Sequence, residues 1–198
     1  MWNEEQILSD CIKGRREAQK AFYLRFAPAM RVLCLRYSSN SNEAEDILQE
    51  GFLKVFDSLK QYSGAGSLEG WIKRIMINTT LTYCRKHFSK DLYNIADVKE
   101  VKILKDETED DTDVSTNSAF EYARVEPDKV LEVLQALPEG YRTVFNLYAI
   151  EGYKHREIGE LLGIEESTSK TQLMKARKMI QQKLKNIVTG HQEMSTKI

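Results

Sequence analysis

The sequence of 198 residues is poor in residues that interrupt helices, with three prolines and ten glycines. Sandwiches and barrels of many strands need such residues at their tight turns, so we expect neither architecture. No apolar run approaches the roughly 18–20 residues of a membrane-spanning helix, which predicts no membrane insertion. The first residues include Glu4 and Glu5, and no apolar segment follows them. We therefore expect no secretory signal peptide.

Cysteine is also scarce. Cys11, Cys34 and Cys84 are odd in number and widely spaced, which predicts reduced thiols in a cytoplasmic protein rather than a disulfide framework. Cys84 and His87 lie one helical turn apart and could form half of a metal site. Because the sequence offers no second pair of ligands nearby, we expect ordinary packing there, with no metal and no cofactor.

Charge is abundant and is arranged in blocks. Hydrophobic residues make up 41% of the chain and charged residues 30%, with a net charge of -1, as is typical of globular proteins. Residues 91–126 nevertheless carry eleven acids and four bases, a net charge of -7, and residues 170–185 carry six bases and no acid. The total charge therefore says little about binding partners.

Apolar residues recur at helical spacing on both sides of the acidic block, which predicts an all-α fold with two helical domains. We expect one domain at residues 1–90, an acidic flexible linker at 91–127, a second domain at 128–188 and a frayed tail at 189–198. Within the linker, residues 106–118 have almost no apolar content and repel one another, so they should be disordered or extended.

The second domain has the pattern of a helix-turn-helix. Residues 155–162 predict a short helix, Gly163 permits a tight turn, and Ser167 or Thr168 is a candidate cap of the next helix. Gly159 omits a side chain where we expect another helix to approach closely. The stripe of the next helix that should face the core comprises Ser169, Leu173, Ala176, Ile180 and Leu184.

The opposite stripe of that helix is basic and polar, which fits the major groove of DNA. A solvated lysine-rich face is the plainer interpretation, but the compact turn in front of the helix favours DNA contact. The residues of this stripe and its flanks are Thr168, Lys170, Thr171, Met174, Lys175, Arg177 and Lys178.

Residues 42–60 predict one amphipathic helix. Its buried face comprises Ala44, Leu48, Phe52, Val55, Phe56 and Leu59. On the far side, Leu53 lies among Asp46, Gln49, Glu50 and Asp57. An exposed leucine among carboxylates suits a partner that offers arginines around an apolar contact. The alternative is a solvated acidic face with one stray apolar residue.

Residues 61–66 predict a flexible loop, after which Ser67 caps a helix that reaches about His87. The predicted core face of this helix comprises Ile72, Ile75, Met76, Thr79 and Tyr83. Its other face presents Arg74, Asn78 and Arg85 beside Trp71, and residues 71–90 hold five bases and no acid. Arginines with an aromatic and an amide suit single-stranded nucleic acid, unless Trp71 simply belongs to the core.

These segments resemble a known family in their order and spacing. Residues 42–56 (NEAEDILQEGFLKVF) resemble region 2.2 of bacterial sigma factors, and residues 71–79 (WIKRIMINT) resemble regions 2.3–2.4. Residues 151–164 (EGYKHREIGELLGI) and 170–178 (KTQLMKARK) resemble region 4.2. With no domain between them, the set resembles the extracytoplasmic-function (ECF) class of sigma-70 factors.

The resemblance implies a promoter-specificity subunit that docks on core RNA polymerase and is not an enzyme. Contact with the β′ clamp helices would fall to Asp46, Gln49, Glu50 and Leu53. Opening of the −10 element, with a flipped non-template base, would fall to Tyr62, Ser63, Gly64, Ser67, Trp71, Arg74, Asn78 and Thr79. The −35 element would be bound by Thr168, Lys170, Thr171, Gln172, Met174, Lys175 and Lys178, with Arg177 near the phosphates.

The resemblance also implies further partners, the β subunit and an anti-sigma factor that covers both domains. Two alternatives remain from the residues themselves. A stand-alone helix-turn-helix regulator would explain the second domain but not the acidic face. A metal-dependent hydrolase would use Glu43, Glu45, Asp46 and Glu50, which spread around the helix with no histidine nearby. Where the family often has Arg and Ala, this chain has Gln172 and Gly159, so its −35 sequence is hard to guess.

Overall fold

The computed structural model describes residues 3–94 and 126–195, with side chains described over residues 3–85 and 126–188. Packing divides the chain into two units, Met1–Ser89 and Lys90–Ile198. The described residues of both units form helices joined by turns, with no strand among them. The predicted all-α fold is therefore confirmed over these residues. The acidic segment at residues 106–118 lies outside the described residues.

The first unit contains a series of helices connected by short turns. They are α1 (Glu4–Ile12), α2 (Arg16–Tyr37), α3 (Ser41–Ser58) and α4 (Leu68–Asn94), with a 3₁₀ turn at Leu59–Gln61 after α3. Asparagine side chains cap two of the helices. Asn3 Oδ1 accepts a hydrogen bond from the backbone N–H of Gln6 at 3.1 Å, and Asn40 Oδ1 accepts one from Glu43 at 3.0 Å. Each cap satisfies a backbone N–H that the helix itself leaves without a partner.

Aromatic side chains join α2 to α3 in the core of the first unit. Phe22 is fully buried, and its ring centroid lies 4.9 Å from that of Phe26 and 5.5 Å from that of Phe56. Tyr23 packs against Phe52 at 4.7 Å. Burial of such a side chain stabilises the fold by about 1.5–3 kcal/mol. These contacts hold the apolar stripe of α3 against α2 and leave its opposite stripe at the surface.

The approach of α3 to α4 depends on a glycine. A Cβ atom added at Gly51 would overlap Sδ of Met76 and lie 2.9 Å from its Cε. Met76 has no exposed surface, so a larger residue at position 51 would have to displace a packed side chain. Glycine at position 51 therefore leaves room for the side chain of Met76 between the two helices.

The buried surface of α4 is wider than its apolar pattern predicts. Burial of Ile72, Met76 and Thr79 is confirmed, but Ile75 and Tyr83 are only half-buried. The core also takes side chains that the prediction omitted, namely Ile77, Thr80, Leu81 and Cys84. A single stripe was expected, and the residues on both sides of that stripe are covered as well. What remains exposed is a narrow strip on the opposite side.

All three cysteines are free and buried. Burial, followed by the nearby carboxylates, raises the pKa of the Cys34 thiol to about 12 and also raises that of Cys11. Thiols in this state are protonated at neutral pH and react slowly, because the thiolate is the nucleophile. The cysteines of this protein therefore serve as small apolar core residues.

The second unit also consists of helices and turns. They are α5 (Pro127–Gln135), α6 (Glu139–Phe145), α7 (His155–Leu162) and α8 (Glu166–Ser195), with a π-helical turn at Asn146–Ile150 after α6. The predicted bounds of α7 are confirmed, and Pro138 immediately precedes α6. The backbone of α8 continues to Ser195, past residue 189, where we expect the tail to begin.

A buried arginine connects α5 to α6. Arg142 is 1% exposed, and its Nη1 donates a hydrogen bond to the carbonyl oxygen of Gln135 at 2.7 Å. The carbonyl oxygen of Arg142 accepts a hydrogen bond from Nδ2 of Asn146 at 2.8 Å. The same residue thus binds the end of α5 and the start of the π-helical turn. A hydrogen bond from a buried guanidinium to a carbonyl oxygen depends on direction and distance, so it also specifies how α5, α6 and the π-helical turn pack together.

The turn between α7 and α8 differs in detail from the prediction. A Cβ at Gly159 would lie 2.8 Å from the carbonyl oxygen of Ile164 and 3.7 Å from the backbone nitrogen of Glu166, so the turn backbone and the first residue of α8 both approach Gly159. Because α8 begins at Glu166, the residues expected to cap it, Ser167 and Thr168, lie inside its first turn. The carbonyl oxygen of Ser167 instead accepts a hydrogen bond from Thr171 Oγ1 at 3.0 Å.

Gly163 ends α7 in the left-handed region, with a φ of 71°, and this conformation generates the first prediction. Gly163→Ala should lower the free energy of unfolding by about 1 kcal/mol, because a Cβ is strained at positive φ. Gly163→Asn should lose clearly less, since asparagine tolerates this region. Chemical denaturation of the full chain measures both values. Equal losses in the two variants would contradict this explanation.

Candidate polymerase and promoter interfaces

The outward stripe of α3 is an acidic surface with an apolar centre, which we call the docking face: Asp46, Gln49, Glu50 and Leu53. Leu53 is 66% exposed and lies at the centre of this stripe. Asp46 and Gln49 are exposed, and Glu50 is half-buried. The four positions recur at helical spacing, so their side chains lie on one side of α3. The structure therefore brings together the residues that the sequence predicted to lie together.

The carboxylates of α3 form ion pairs and hydrogen bonds with different partners. Glu50 pairs with Lys54 at 2.7 Å, and Glu45 pairs with Arg31 of α2. Glu43 accepts hydrogen bonds at 2.9 Å from the backbone N–H of Ser39 and from Asn40 Nδ2. These contacts direct Glu43, Glu45 and Glu50 to separate partners, which argues against a shared metal site and the hydrolase alternative. Within the described residues, Asp46 makes neither a hydrogen bond nor an ion pair.

A short loop precedes α4 and is closed by a tyrosine. The hydroxyl of Tyr62 donates a hydrogen bond to the carbonyl oxygen of Gly66 at 2.6 Å, and its ring lies 5.4 Å from that of Trp71. The predicted cap of α4 is confirmed, because Ser67 Oγ accepts a hydrogen bond from Gly70 N–H at 3.1 Å. The loop residues between the tyrosine and the cap, including Ser63 and Gly64, are exposed.

The exposed strip of α4 continues from this loop. Arg74, Asn78 and Arg85 are exposed, and Trp71 is half-buried at the start of the strip. Both interpretations of Trp71 thus apply in part, because one portion of its ring packs and another remains at the surface. Thr79 is 1% exposed, so the structure does not bring it to the nucleic-acid side. The −10 role that the resemblance implied for Thr79 is corrected, because Thr79 belongs to the apolar stripe of α4 that faces the core.

The outward side of α8 carries most of the predicted −35 residues. Lys170, Met174, Arg177 and Lys178 are exposed, and the half-buried members are Thr168, Thr171 and Lys175. Met174 is 55% exposed at the centre of this surface. An exposed methionine between lysines can contact the methyl group of thymine.

An acidic residue accompanies the bases on α8. Lys170 Nζ pairs with Glu166 at 3.0 Å, one turn earlier. The hydrogen bond and the charge of Lys170 lower the pKa of the Glu166 carboxyl. Glu166 therefore remains ionised at neutral pH and partly neutralises the start of an otherwise basic surface.

Gln172 is 1% exposed and lies on the core side of α8, beside the buried Ser169 and Leu173. The expectation that Gln172 reads the −35 element is therefore corrected. Neither atom of its amide group has a hydrogen-bond partner among the described residues. An unsatisfied buried amide costs about 1–3 kcal/mol.

Tyr148 and His155 lie beside α8, and neither was predicted from the sequence to belong to a functional site. The ring of Tyr148, in the π-helical turn, stacks on that of His155 with centroids 4.4 Å apart. Arg177 places its guanidinium carbon 5.7 Å from the Tyr148 centroid, and His155 Nδ1 lies 2.9 Å from Ser169 Oγ. The π-helical turn brings Tyr148 into this position, and no local sequence signal announces such a turn. Its occurrence fits the tendency of π turns to lie at functional sites.

Comparison with known protein families defines the class. The family described as Sigma-70 region 2 matches residues 22–88, and the family described as Sigma-70, region 4 matches residues 128–180. The first match covers the docking face and the exposed strip of α4. The second covers α7 and the outward side of α8. Two such regions in this order define a sigma-70 factor of RNA polymerase.

Individual relatives narrow the class. The ECF RNA polymerase sigma factor SigW of Bacillus subtilis is 30% identical over 163 residues, which are 78% of this chain and 82% of the relative. The ECF RNA polymerase sigma-E factor of Haemophilus influenzae is 24% identical over 189 residues, 93% of this chain and 97% of the relative. The chain therefore belongs to the ECF class of sigma-70 factors, which act in the initiation of transcription.

A solved structure is also similar. The sigma factor RpoE, in complex with the anti-sigma factor NepR from Bartonella quintana, matches with a TM-score of 0.48 and 19% identity. The match covers 84% of this chain and 96% of that one. Among the residues described here, no helix is long and apolar enough to cross a membrane.

The burial of Gln172 generates the second prediction. Gln172→Met should raise the free energy of unfolding by about 1 kcal/mol, because it removes an unsatisfied buried amide with little change in volume. Binding to −35 DNA should not change. Gln182→Met, on an exposed position of the same helix, is the matched control and should not stabilise the protein. Loss of −35 binding without a gain in stability would restore Gln172 as a base-reading residue.

Proposed function

We propose that the three exposed surfaces perform the three steps of promoter recognition. The docking face of α3 binds core polymerase, the loop and the exposed strip of α4 hold the opened −10 element, and α8 reads the −35 element. The observation that carries this proposal is the exposure of Leu53 among carboxylates. An apolar side chain surrounded by acidic and polar ones suits a partner that brings an apolar contact together with positive charge.

The docking face suits the β′ clamp helices through its chemistry. Leu53 supplies an apolar contact that becomes dry on binding, and Asp46 and Glu50 can pair with arginines around it. Asp46 has no competing ion pair within the described residues, whereas Glu50 must share its charge with Lys54. We therefore assign the larger electrostatic part of the interaction to Asp46.

The surface in front of α4 suits single-stranded DNA. Arg74 and Asn78 lie one turn apart on the exposed strip and offer hydrogen bonds and positive charge. Trp71 offers part of a ring face for stacking, and Tyr62 keeps the loop closed beside it. Flipping a base costs a few kcal/mol, so a pocket already shaped by the hydrogen bond of Tyr62 lowers the reorganisation that opening requires.

The outward side of α8 suits the major groove of the −35 duplex. Lys175 and Met174 project from the centre of the helix, where base edges would lie. Lys170, Arg177 and Lys178 flank them and suit phosphates, whose contacts position a protein without reading sequence. With Gln172 in the core, base reading falls to Thr168, Thr171, Met174 and Lys175.

The acidic linker is assigned by resemblance to the path of the RNA through polymerase. Residues 91–126 have a net charge of -7, which would imitate nucleic acid among basic walls. An anti-sigma factor is a further proposed partner, by the same resemblance. The protein would act in the cytoplasm, where polymerase transcribes, and would catalyse no reaction of its own.

Run-off transcription tests the proposal as a whole. Core RNA polymerase is supplied with a library of promoter fragments, with and without this protein. Start sites that require the protein are expected, and their upstream sequences give the −35 and −10 elements. The alternative is a stand-alone helix-turn-helix regulator, which predicts specific binding to a duplex without polymerase and no new start site. That outcome, together with no binding to core polymerase, would overturn the proposal.

Substitutions in the docking face give the third prediction. Asp46→Arg should weaken binding to core polymerase at least about tenfold, because an acid that faces arginines becomes a like charge. Leu53→Ala should also weaken binding by about tenfold, while its free energy of unfolding changes by less than about 0.5 kcal/mol, since the side chain is exposed. Glu17→Arg, an exposed charge reversal on α2, is the matched control for binding. Unchanged affinity of Asp46→Arg would refute the assignment of the docking face.

The two DNA surfaces give the fourth prediction, which is a double dissociation. Asn78→Ala should weaken binding of holoenzyme to a single-stranded −10 oligonucleotide by about tenfold and leave −35 duplex binding unchanged. Lys175→Ala should weaken −35 duplex binding by about tenfold and leave −10 binding unchanged. Fluorescence anisotropy with labelled DNA measures both. If either variant lost core binding instead, the assignment of its surface would be wrong.

A further inference from the structure

A basic groove runs along α8 beside the first residue of α7. We call it the α7–α8 groove, and its polar lining is His155, Lys170, Arg177, Lys178 and Gln181. No carboxylate lines it in the part of the chain that the structure describes. Lys170, Arg177 and Lys178 carry positive charge at neutral pH. The groove therefore has the charge and the hydrogen-bond donors that an anion requires.

His155 is held in a fixed orientation at one side of the groove. One face of its ring stacks on Tyr148, with planes 20° apart. Its Nδ1 lies 2.9 Å from Oγ of Ser169, a residue with no exposed surface. Because both contacts constrain the ring, the opposite edge, with Nε2, has a defined direction. An imidazole fixed in this way pays little conformational entropy when it binds a ligand.

The charged groups near His155 belong to both helices. On α8, Glu166 pairs with Lys170 at 3.0 Å, and Arg177 lies against the other partner of His155, Tyr148. On α7, Arg156 pairs with Glu160 at 3.3 Å. The carboxylate of Glu157 bonds the backbone N–H of Lys154. Glu157 and Glu160 therefore bind partners on α7 or at its N-terminal cap. Glu166 is the acid that pairs with a lysine of the groove, Lys170.

We propose that the α7–α8 groove binds a phosphate group of the DNA backbone and that protonated His155 donates a hydrogen bond to it. The inference rests on the proposed function, in which α8 enters the major groove. A phosphate strand then borders the helix on each side, and the side of α8 next to α7 is the groove. Such a contact carries no base information, so it applies to duplexes of any sequence.

Protonation of His155 makes this contact depend on pH. Histidine is the side chain that ordinarily changes charge between about pH 5 and pH 8. The imidazolium is the form that favours an anion, so affinity for DNA rises as the pH falls through this range. Lysine and arginine remain charged throughout and contribute a constant part. The part of the pH dependence that His155→Gln removes is therefore the part that His155 supplies.

The experiment uses the full chain and a duplex of random sequence of about 20 base pairs, which covers about two helical turns. Anisotropy is measured at about pH 6 and pH 8 and from about 50 to 200 mM salt. Wild type should bind at least about threefold more tightly at pH 6 than at pH 8. His155→Gln should lose this difference, and its dependence on log salt at pH 6 should be shallower by about 1.

Two further variants separate the groove from general charge. Lys178→Gln should make the salt dependence shallower and retain the pH dependence, since it removes a phosphate contact but not the titrating group. Arg156→Gln is the matched control, because its guanidinium pairs on its own helix, and it should retain the pH dependence and most of the affinity. Loss of the pH dependence in Arg156→Gln would overturn the assignment to His155.

Nuclear magnetic resonance of the imidazole rings tests the proposal on the wild-type protein, so it does not depend on whether a substituted variant folds. The chain has three histidines, so His87 and His191 serve as internal references. Adding the duplex should move the titration midpoint of His155 to higher pH by at least about 0.5, because a bound phosphate favours the imidazolium, and should leave the references in place.

The proposal is overturned if His155→Gln keeps the pH dependence of wild type, if the His155 midpoint does not move, or if wild type does not bind the duplex at low salt. A failure of the proposed function looks different, since it would appear as no polymerase-dependent start site in run-off transcription. Start sites that appear while the groove results are negative would leave the sigma role intact and remove only the phosphate site.

Discussion

Burial of one side of each helix sets the rotation of that helix about its axis, and every exposed surface of this protein depends on that rotation. One residue corresponds to about 100° around an α-helix, so a shift of one position would exchange surface for core. In α3 the aromatic contacts of Phe52 and Phe56 direct Leu53 to solvent. In α8 the burial of Ser169, Leu173 and Ala176 directs Met174 and Lys178 outward.

The binding surfaces are separated in charge as well as in position. The surface on α3 that we propose for a protein partner is acidic, and the surfaces on α4 and α8 that we propose for nucleic acid are basic. The total charge of -1 hides this bias, because acids elsewhere in the chain, including the net charge of -7 in residues 91–126, offset the bases of residues 71–90 and 170–185. A chain built in this way binds DNA and protein through long-range attraction at distinct places, and salt weakens each interaction separately. Placing the surfaces on different helices keeps opposite charges from neutralising one another.

The second unit holds α8 through polar contacts as well as apolar ones. Arg142 joins α5 to α6, and the π-helical turn follows. In that turn Tyr148 stacks on His155, and Nδ1 of His155 lies within hydrogen-bond distance of Ser169 of α8. Polar contacts of this kind depend on direction and distance more steeply than apolar packing does. They add precision to the position of a helix whose side chains must meet base edges, where small displacements remove a hydrogen bond.

Sequence periodicity by itself determined the helical class, the bounds of α7 and the two sides of α3, because helical spacing alone decides which side chains share a side. It also placed Leu53, Arg74 and Lys175 at the surface. Tertiary structure decided how far neighbouring helices reach around each one, which is why Gln172 is buried although exposed residues stand near it, and why Ile77 and Leu81 join the core. It also decided that Tyr148 meets His155, since that contact needs a π-helical turn and a second helix, and neither leaves a periodic signal in the chain.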